Sequence, residues 1–478
     1  MSETAVITAV LVVYLILLFG IAIWSRSAAG SLEGYYLGDR QLPFWVAGFS
    51  ANATGESSWL LLGLSGMGYL LGVHAFWIVI GETLGVWLGW RLIARHLKVT
   101  ADKHRSITVP DFLEDALGDK SHRLRISGVI IILVMTAFYV SAQMMATGKI
   151  FSSFLPLEYS TGVLLGGTIT LAYTAYGGFK AVAYSDVLQG VLMLAALISL
   201  PIVGIIAIDG DFWQVVRETD PALLDLTAGL GLGPQGLIAI VSFVLLGFAF
   251  MAVPQILTRY MAIKSVHEVK NAARISIACI IAFDTGAVLT GIAGRVLFPD
   301  LADVETVLPT MARDLLPSLL TGLFLVMVLA AVMSTVDSLL ILASSAVVRD
   351  LLQKVLRSPW PDEQLTKVGK LVTVAIGVGA IAFALSETKV IFWFVVFAQS
   401  GLAVAFGPPV ICTLFYKGIT REGALAGMIG GFATDMLWAT YMKPYSYELV
   451  ELVPAMIVGF SLIFLVSRAT RQRHSART

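Results

Sequence analysis

Glu56, Glu82, Asp186, Asp284, Asp337 and Asp435 all sit within or beside long apolar stretches of this 478-residue chain. A carboxylate at membrane depth is costly and marks an ion or proton path by default. No equally deep set of Lys or Arg is evident to pair with them, which favours bound cations or protons. The stretch Ala330-Ala-Val-Met-Ser-Thr-Val-Asp-Ser338 crowds Ser334, Thr335, Asp337 and Ser338 together. Ser334 and Ser338 stand at i and i+4 and share one helical face. Hydroxyls and backbone carbonyls are the oxygen donors that sodium, like calcium, takes. The same hydroxyls can instead satisfy carbonyls one turn back in their own helix.

The remaining carboxylates read differently from one another. Asp186, in Gly177-Gly-Phe-Lys-Ala-Val-Ala-Tyr-Ser-Asp-Val-Leu-Gln189, fits the cytoplasmic entrance of a span, where an aspartate also suits the helix dipole. Glu82, in Trp77-Ile-Val-Ile-Gly-Glu-Thr83, falls near a span centre. It fits a substrate-facing anion, an internally bonded acid or a proton carrier. Asp284 and Asp435 are isolated in sequence, and packing or interfacial placement is expected for both. Cys279 and Cys412 lie in apolar runs as small buried hydrophobes. Neither a His/Cys cluster with metal spacing nor a phosphate-binding glycine loop is present, and no nucleophile stands beside a base. An enzyme is not expected.

These groups must be positioned by membrane helices. Hydrophobic residues make up 57% of the chain and charged residues 13%, against about 25% in soluble domains. The formal net charge is +0, so no global field draws the chain to nucleic acid. About thirteen runs are long enough to span a bilayer. They begin near Val6, Pro43, Val73, Ile126, Tyr159, Ala181, Pro234, Ala273, Ser318, Val368, Val390, Glu422 and Leu449. The first follows Met-Ser-Glu rather than a basic flank, so it reads as a retained span and not a signal peptide. Lys and Arg concentrate in alternate loops, among them Arg26 with Arg40, Lys98 with Arg105, Arg259 with Lys264, and Arg349 with Lys354. That alternation predicts an N-terminus outside and a C-terminus in the cytoplasm of a multi-pass cell (inner) membrane protein.

Two runs look broken. Ser50-Ala-Asn-Ala-Thr-Gly-Glu-Ser-Ser-Trp59 puts small and polar residues at membrane depth, where packing alone does not need Glu56. Gly247-Phe-Ala-Phe-Met-Ala-Val-Pro254 carries a proline that opens the preceding turn. The breaks lie about five spans apart, and broken helices at matching positions of two halves indicate an inverted repeat with the site between them. The expected organisation is an N-terminal extra helix and loop (1–42), a first repeat (43–208), an extracellular loop (209–233), a second repeat (234–417), and C-terminal helices with a cytoplasmic tail (418–478).

Several separated motifs together resemble the sodium:solute symporter family, most closely its bacterial sodium/proline branch. They are Tyr36-Tyr-Leu-Gly-Asp-Arg40, the Ser50–Leu64 helix, Ile107-Thr-Val-Pro-Asp-Phe112, Tyr176-Gly-Gly-Phe179 with Asp186 and Gln189, Ala330–Ser345, and Thr420-Arg-Glu-Gly-Ala-Leu-Ala-Gly-Met428. The resemblance implies a leucine-transporter-like fold of five plus five inverted helices, with one N-terminal and two C-terminal helices added. It implies sodium as the coupling ion, held by backbone carbonyls of Ala53, Glu56 and Ala331 and the hydroxyls of Ser334 and Thr335. A second sodium is implied where Asp186, Ser334, Asp337 and Ser338 stand. Solute is expected near Ala53, Ser57, Trp59, Glu82, Tyr139, Phe250 and Pro254. Proline carriers have an aspartate at the position of Gly55, and tryptophan and tyrosine where this chain has Leu246 and Phe250. Glu82 falls where that branch is apolar.

The expected activity is sodium-coupled import of a small polar solute, with an amino acid such as proline first. A non-proline carboxylate or other small solute, or a proton-coupled carrier titrating Glu56 or Glu82, are the alternatives. The expected partners are the solute, sodium and membrane lipid, without an obligate protein partner.

Overall fold

Hydrocarbon leaves a backbone only its own hydrogen bonds, so apolar runs of this length fold as helices. The computed structural model describes residues 2–25, 31–386, 390–447 and 449–475. Arg26, one of the basic loop residues above, lies outside them. The principal helices are α1 (Glu3–Ser25), α2 (Phe44–Gly55), α3 (Phe76–Leu88), α4 (Arg123–Phe154), α5 (Tyr159–Ile206), α6 (Pro234–Gly247), α7 (Pro254–Ala262), α8 (Val269–Leu297), α9 (Ser318–Ser345), α10 (Asp362–Ser386), α11 (Ile391–Phe415), α12 (Arg421–Leu437) and α13 (Leu452–Ser475). Within α5, Gly178 adopts φ 73° and interrupts the helix, as separate runs from Tyr159 and Ala181 predict. Among the described residues the β pairing is one isolated bridge, Leu42 to Ile263.

Ten stretches of the described residues are long and apolar enough to cross a membrane, against about thirteen expected. The runs from Pro43 and Glu422 form helices of 12 and 17 residues, short of an unbroken span. The outer faces carry exposed apolar residues such as Ile16, Leu371 and Ile457. A lipid solvent accounts for that inversion of the soluble pattern.

At the centre stands α9, buried continuously from Phe324 to Ser345. A helix apolar on all sides belongs inside a bundle. Helices α1, α2, α4 and α5 pack around it.

Helices α3 and α6 approach more closely still. A Cβ on Gly81 would lie 2.0 Å from the Val244 carbonyl oxygen, and one on Gly247 would lie 2.0 Å from the Glu82 backbone nitrogen. Both obstacles are backbone, so no rotamer change can relieve them. Gly247→Val is therefore expected to destabilise the protein by about 3 kcal/mol or more, at the upper end of overpacking costs. Gly379→Ala is the control, because its Cβ would meet nothing within 4 Å. A thermal melt that ranks the two variants equally would contradict this account.

Deep basic residues are present after all. Arg125 and Arg259 are both buried, and Arg259 pairs with Asp186, which corrects the expectation of carboxylates without basic partners for that one of the six. Each long side chain starts near a helix end and carries its guanidinium inward along an apolar stem. Arg125 donates to Asp350 at 2.5 Å, to Asp111 at 2.7 Å and to Glu114 at 2.8 Å. Arg349 adds a second guanidinium at 3.0 Å from Asp111. Burial pushes the Asp111 carboxyl up, but Arg349 and Arg125 outweigh it and hold the group below its ordinary range.

Candidate functional site

Helix α2 stops where Glu56 turns extended, at φ −87° and ψ 110°. Gly55 and the serines after it offer little helical propensity, and the chain resumes helix from Ser58. A helix end leaves carbonyls without partners. Here side chains from elsewhere supply them. The Ser334 hydroxyl lies 2.6 Å from the Ala53 carbonyl oxygen and 3.0 Å from that of Ala331. Thr335 Oγ1 donates to the Thr54 carbonyl at 3.1 Å, and Trp59 Nε1 to that of Gly55 at 3.0 Å. The backbone N–H of Glu56 donates to Asn52 at 2.7 Å.

Oxygens of Ala53, Ala331 and Ser334 thus converge between the broken helix and α9. Ala53, Glu56, Ala331, Ser334 and Thr335 are all fully buried. Thr335 faces the carbonyl of Thr54 rather than that of Ala53. This cluster of hydroxyls and carbonyls matches the donor set of a hard monovalent cation.

One turn along α9, the second implied set looks different. Ser50 Oγ donates to Asp186 Oδ2 at 2.6 Å, and the Thr54 hydroxyl stands 2.9 Å from that of Ser338. Between them lies the Arg259 guanidinium, 3.3 Å from Asp186 Oδ2 and 2.5 Å from Ser338 Oγ. Asp337 accepts a hydrogen bond from Thr174 on α5. Ser334 turns to Ala53 instead. A fixed cation therefore touches Asp186 and Ser338, two of the four residues implied for a second sodium. Asp186 itself is fully buried, not a cap at a helix entrance.

Beyond the break two of the predicted solute residues meet. The rings of Trp59 and Phe250 lie 5.4 Å apart. A Cβ on Gly55 would meet Phe250 at 3.3 Å, so Phe250 and Gly55 are matched in size. Gln143 Nε2 donates to Ser57 Oγ at 3.1 Å, and its Oε1 accepts from the Ser58 backbone at 3.3 Å. Tyr139, one turn before Gln143 on α4, is buried with its hydroxyl unpartnered. Pro254 begins α7 after the chain turns extended at Val253, φ −77° and ψ 143°. The second break therefore precedes the proline, as its missing N–H demands.

Sequence reasoning missed Arg259, Gln143 and Asp284. Asp284, expected to be a packing residue, joins Glu56 and Glu82: one oxygen from each lies within 4.8 Å of the others. All three are fully buried, and among the described residues none outside the trio donates to their six carboxyl oxygens. Only its depth in an apolar run could have signalled Asp284.

The sodium:solute symporter family model matches residues 35–431. The high-affinity proline transporter PutP of Bacillus subtilis (strain 168) is 37% identical over 469 residues, covering 97% of each chain. The sodium/proline symporter of Escherichia coli (strain K12) is 34% identical over 493 residues, covering 99% of this chain and 96% of that one. A solved structure of a Na+-coupled sialic acid symporter, substrate-bound and outward-open, superposes with a TM-score of 0.81 at 20% identity, covering 97% and 98% of the two chains.

Proposed function

The chain belongs to the sodium:solute symporter family, and from that premise we propose that it imports proline, or a closely related small amino acid, by alternating access. It is a multi-pass membrane transporter that uses sodium as the co-transported ion, not an enzyme. The observation that carries the site assignment is the Ser334 hydroxyl at 2.6 Å from the Ala53 carbonyl, which ties the broken helix to α9. Sodium binds there between the carbonyls of Ala53, Glu56 and Ala331 and the hydroxyls of Ser334 and Thr335. Binding replaces the direct contact with an ion bridge and favours the solute-ready state. The ion shifts the equilibrium only because it binds one state better than the other. One charge crossing 100 mV supplies about 2.3 kcal/mol to the cycle.

Solute sits beside Ser57, Trp59, Tyr139, Phe250 and Pro254, with Glu82 lining a small cavity that Phe250 also lines. At the Asp186, Ser334, Asp337 and Ser338 set, we assign the positive charge to Arg259 rather than to a second sodium. Residues 43–208 and 234–417 form the inverted repeats, within about thirteen spans. The N-terminus lies outside and the C-terminus in the cytoplasm, as the basic loops require.

Counterflow of labelled proline in proteoliposomes tests the reading. Uptake is expected to require sodium and to collapse when potassium replaces it at equal voltage. Undiminished uptake in potassium would overturn it.

A further inference from the structure

We propose that Glu56, Glu82 and Asp284 form a second sodium site, separate from the one between Ala53, Ala331 and Ser334. The inference rests on the reading of the chain as a sodium symporter. Each carboxyl comes from a different element: the broken end of α2, the middle of α3 and the middle of α8. One oxygen from each lies within 4.8 Å of the others. An ion with oxygen contacts of about 2.4 Å spans that separation.

Among the described residues none outside the cluster donates to the six buried oxygens, and no ion pair reaches them; Glu56 and Glu82 can share a hydrogen bond only when one of them is protonated. A buried charge left unpaired is strongly unfavourable. An independent feature adjoins the group. A small cavity of about 10 Å³ is lined by Glu56, Glu82, Phe250 and Trp90, among others. The Trp90 indole N–H, also buried, has no partner. That volume is about the size needed by one water. A monatomic cation fits such a space. With two of the carboxyls protonated, one sodium brings the cluster to neutrality. Hard cations favour carboxylate oxygens, and three carboxyls supply up to six of them.

Position gives the site its consequence. Glu56 is the residue at which α2 breaks, two residues after Thr54 and three after Ala53, whose carbonyls meet α9, while its side chain joins the second site. Both ions then report on the same unwound segment.

Equilibrium binding of radioactive sodium to the purified full chain, without solute, tests this. The wild type is expected to bind two ions per chain. Glu82→Gln and Asp284→Asn are each expected to bind one, and Ser334→Ala also one. The ion retained by the carboxyl variants shows that they are folded. A wild-type count of one, lost in Ser334→Ala and kept in Glu82→Gln, overturns the second site while the symporter reading stands. A count of two that Glu82→Gln and Asp284→Asn leave intact also overturns it. Absence of any sodium binding removes both.

Discussion

Ser334→Ala is expected to cost sodium-driven uptake more than any other single-atom deletion in this protein. Among the described residues the hydroxyl is the one side-chain oxygen that meets carbonyls of both the broken helix and α9, at 2.6 and 3.0 Å. Loss of an outer-shell partner alone lowers metal affinity about 10–100-fold, and here the proposed direct ligand disappears. The half-saturating sodium concentration for uptake should therefore rise by about 100-fold or more. The variant also leaves the Ala53 carbonyl short of a donor, which costs about 1–3 kcal/mol in stability. That loss lowers the amount of folded protein without changing the sodium titration of the remainder. Ser334→Thr retains the oxygen and should restore much of the affinity. A sodium titration unchanged in Ser334→Ala removes the site from this position.

Arg259→Met is expected to give the largest loss of stability. Arg259 and Asp186 are both buried, and the guanidinium also donates to Ser338, Ser50 and the Gln255 carbonyl. Removing one member of a buried pair leaves an uncompensated charge, with a cost of about 3–5 kcal/mol. Asp186→Asn combined with Arg259→Met should recover a large part of that loss, since the stranded charge is then absent. The double-mutant cycle isolates the pair from the packing of the arginine stem. Equal and additive losses in thermal stability would show that Arg259 acts through packing alone.

Much of this architecture is legible in local composition. The break in α2 is written in Gly55 and the serines beside it, because backbone that leaves the helix in a membrane needs small and polar neighbours. The hydroxyls of Ser334 and Thr335 announce themselves by crowding an otherwise apolar run. The second break is legible from Pro254, although the chain opens at Ala252 and Val253, just ahead of the ring. What stayed hidden depends on reach across the bundle. Arg259 reads as a loop cation because it follows the proline closely, yet α7 carries it into the interior. Asp284 looks solitary along the chain, and no period or spacing relates it to Glu56 and Glu82. Three separate helices have to pack before those carboxyls meet. Gln143 is likewise unremarkable in sequence, although it braces Ser57 and Ser58 at the break.

Glycines at the seam between α3 and α6 impose a mechanical condition on any transport cycle. With backbone resting on backbone at Gly81 and Gly247, there is no layer of flexible side chains to act as a lubricant. Sliding by one residue would drive a neighbouring side chain into the opposing main chain. The pair must travel as a welded strut, and whatever displacement carries cargo across has to be taken up along other seams of the bundle.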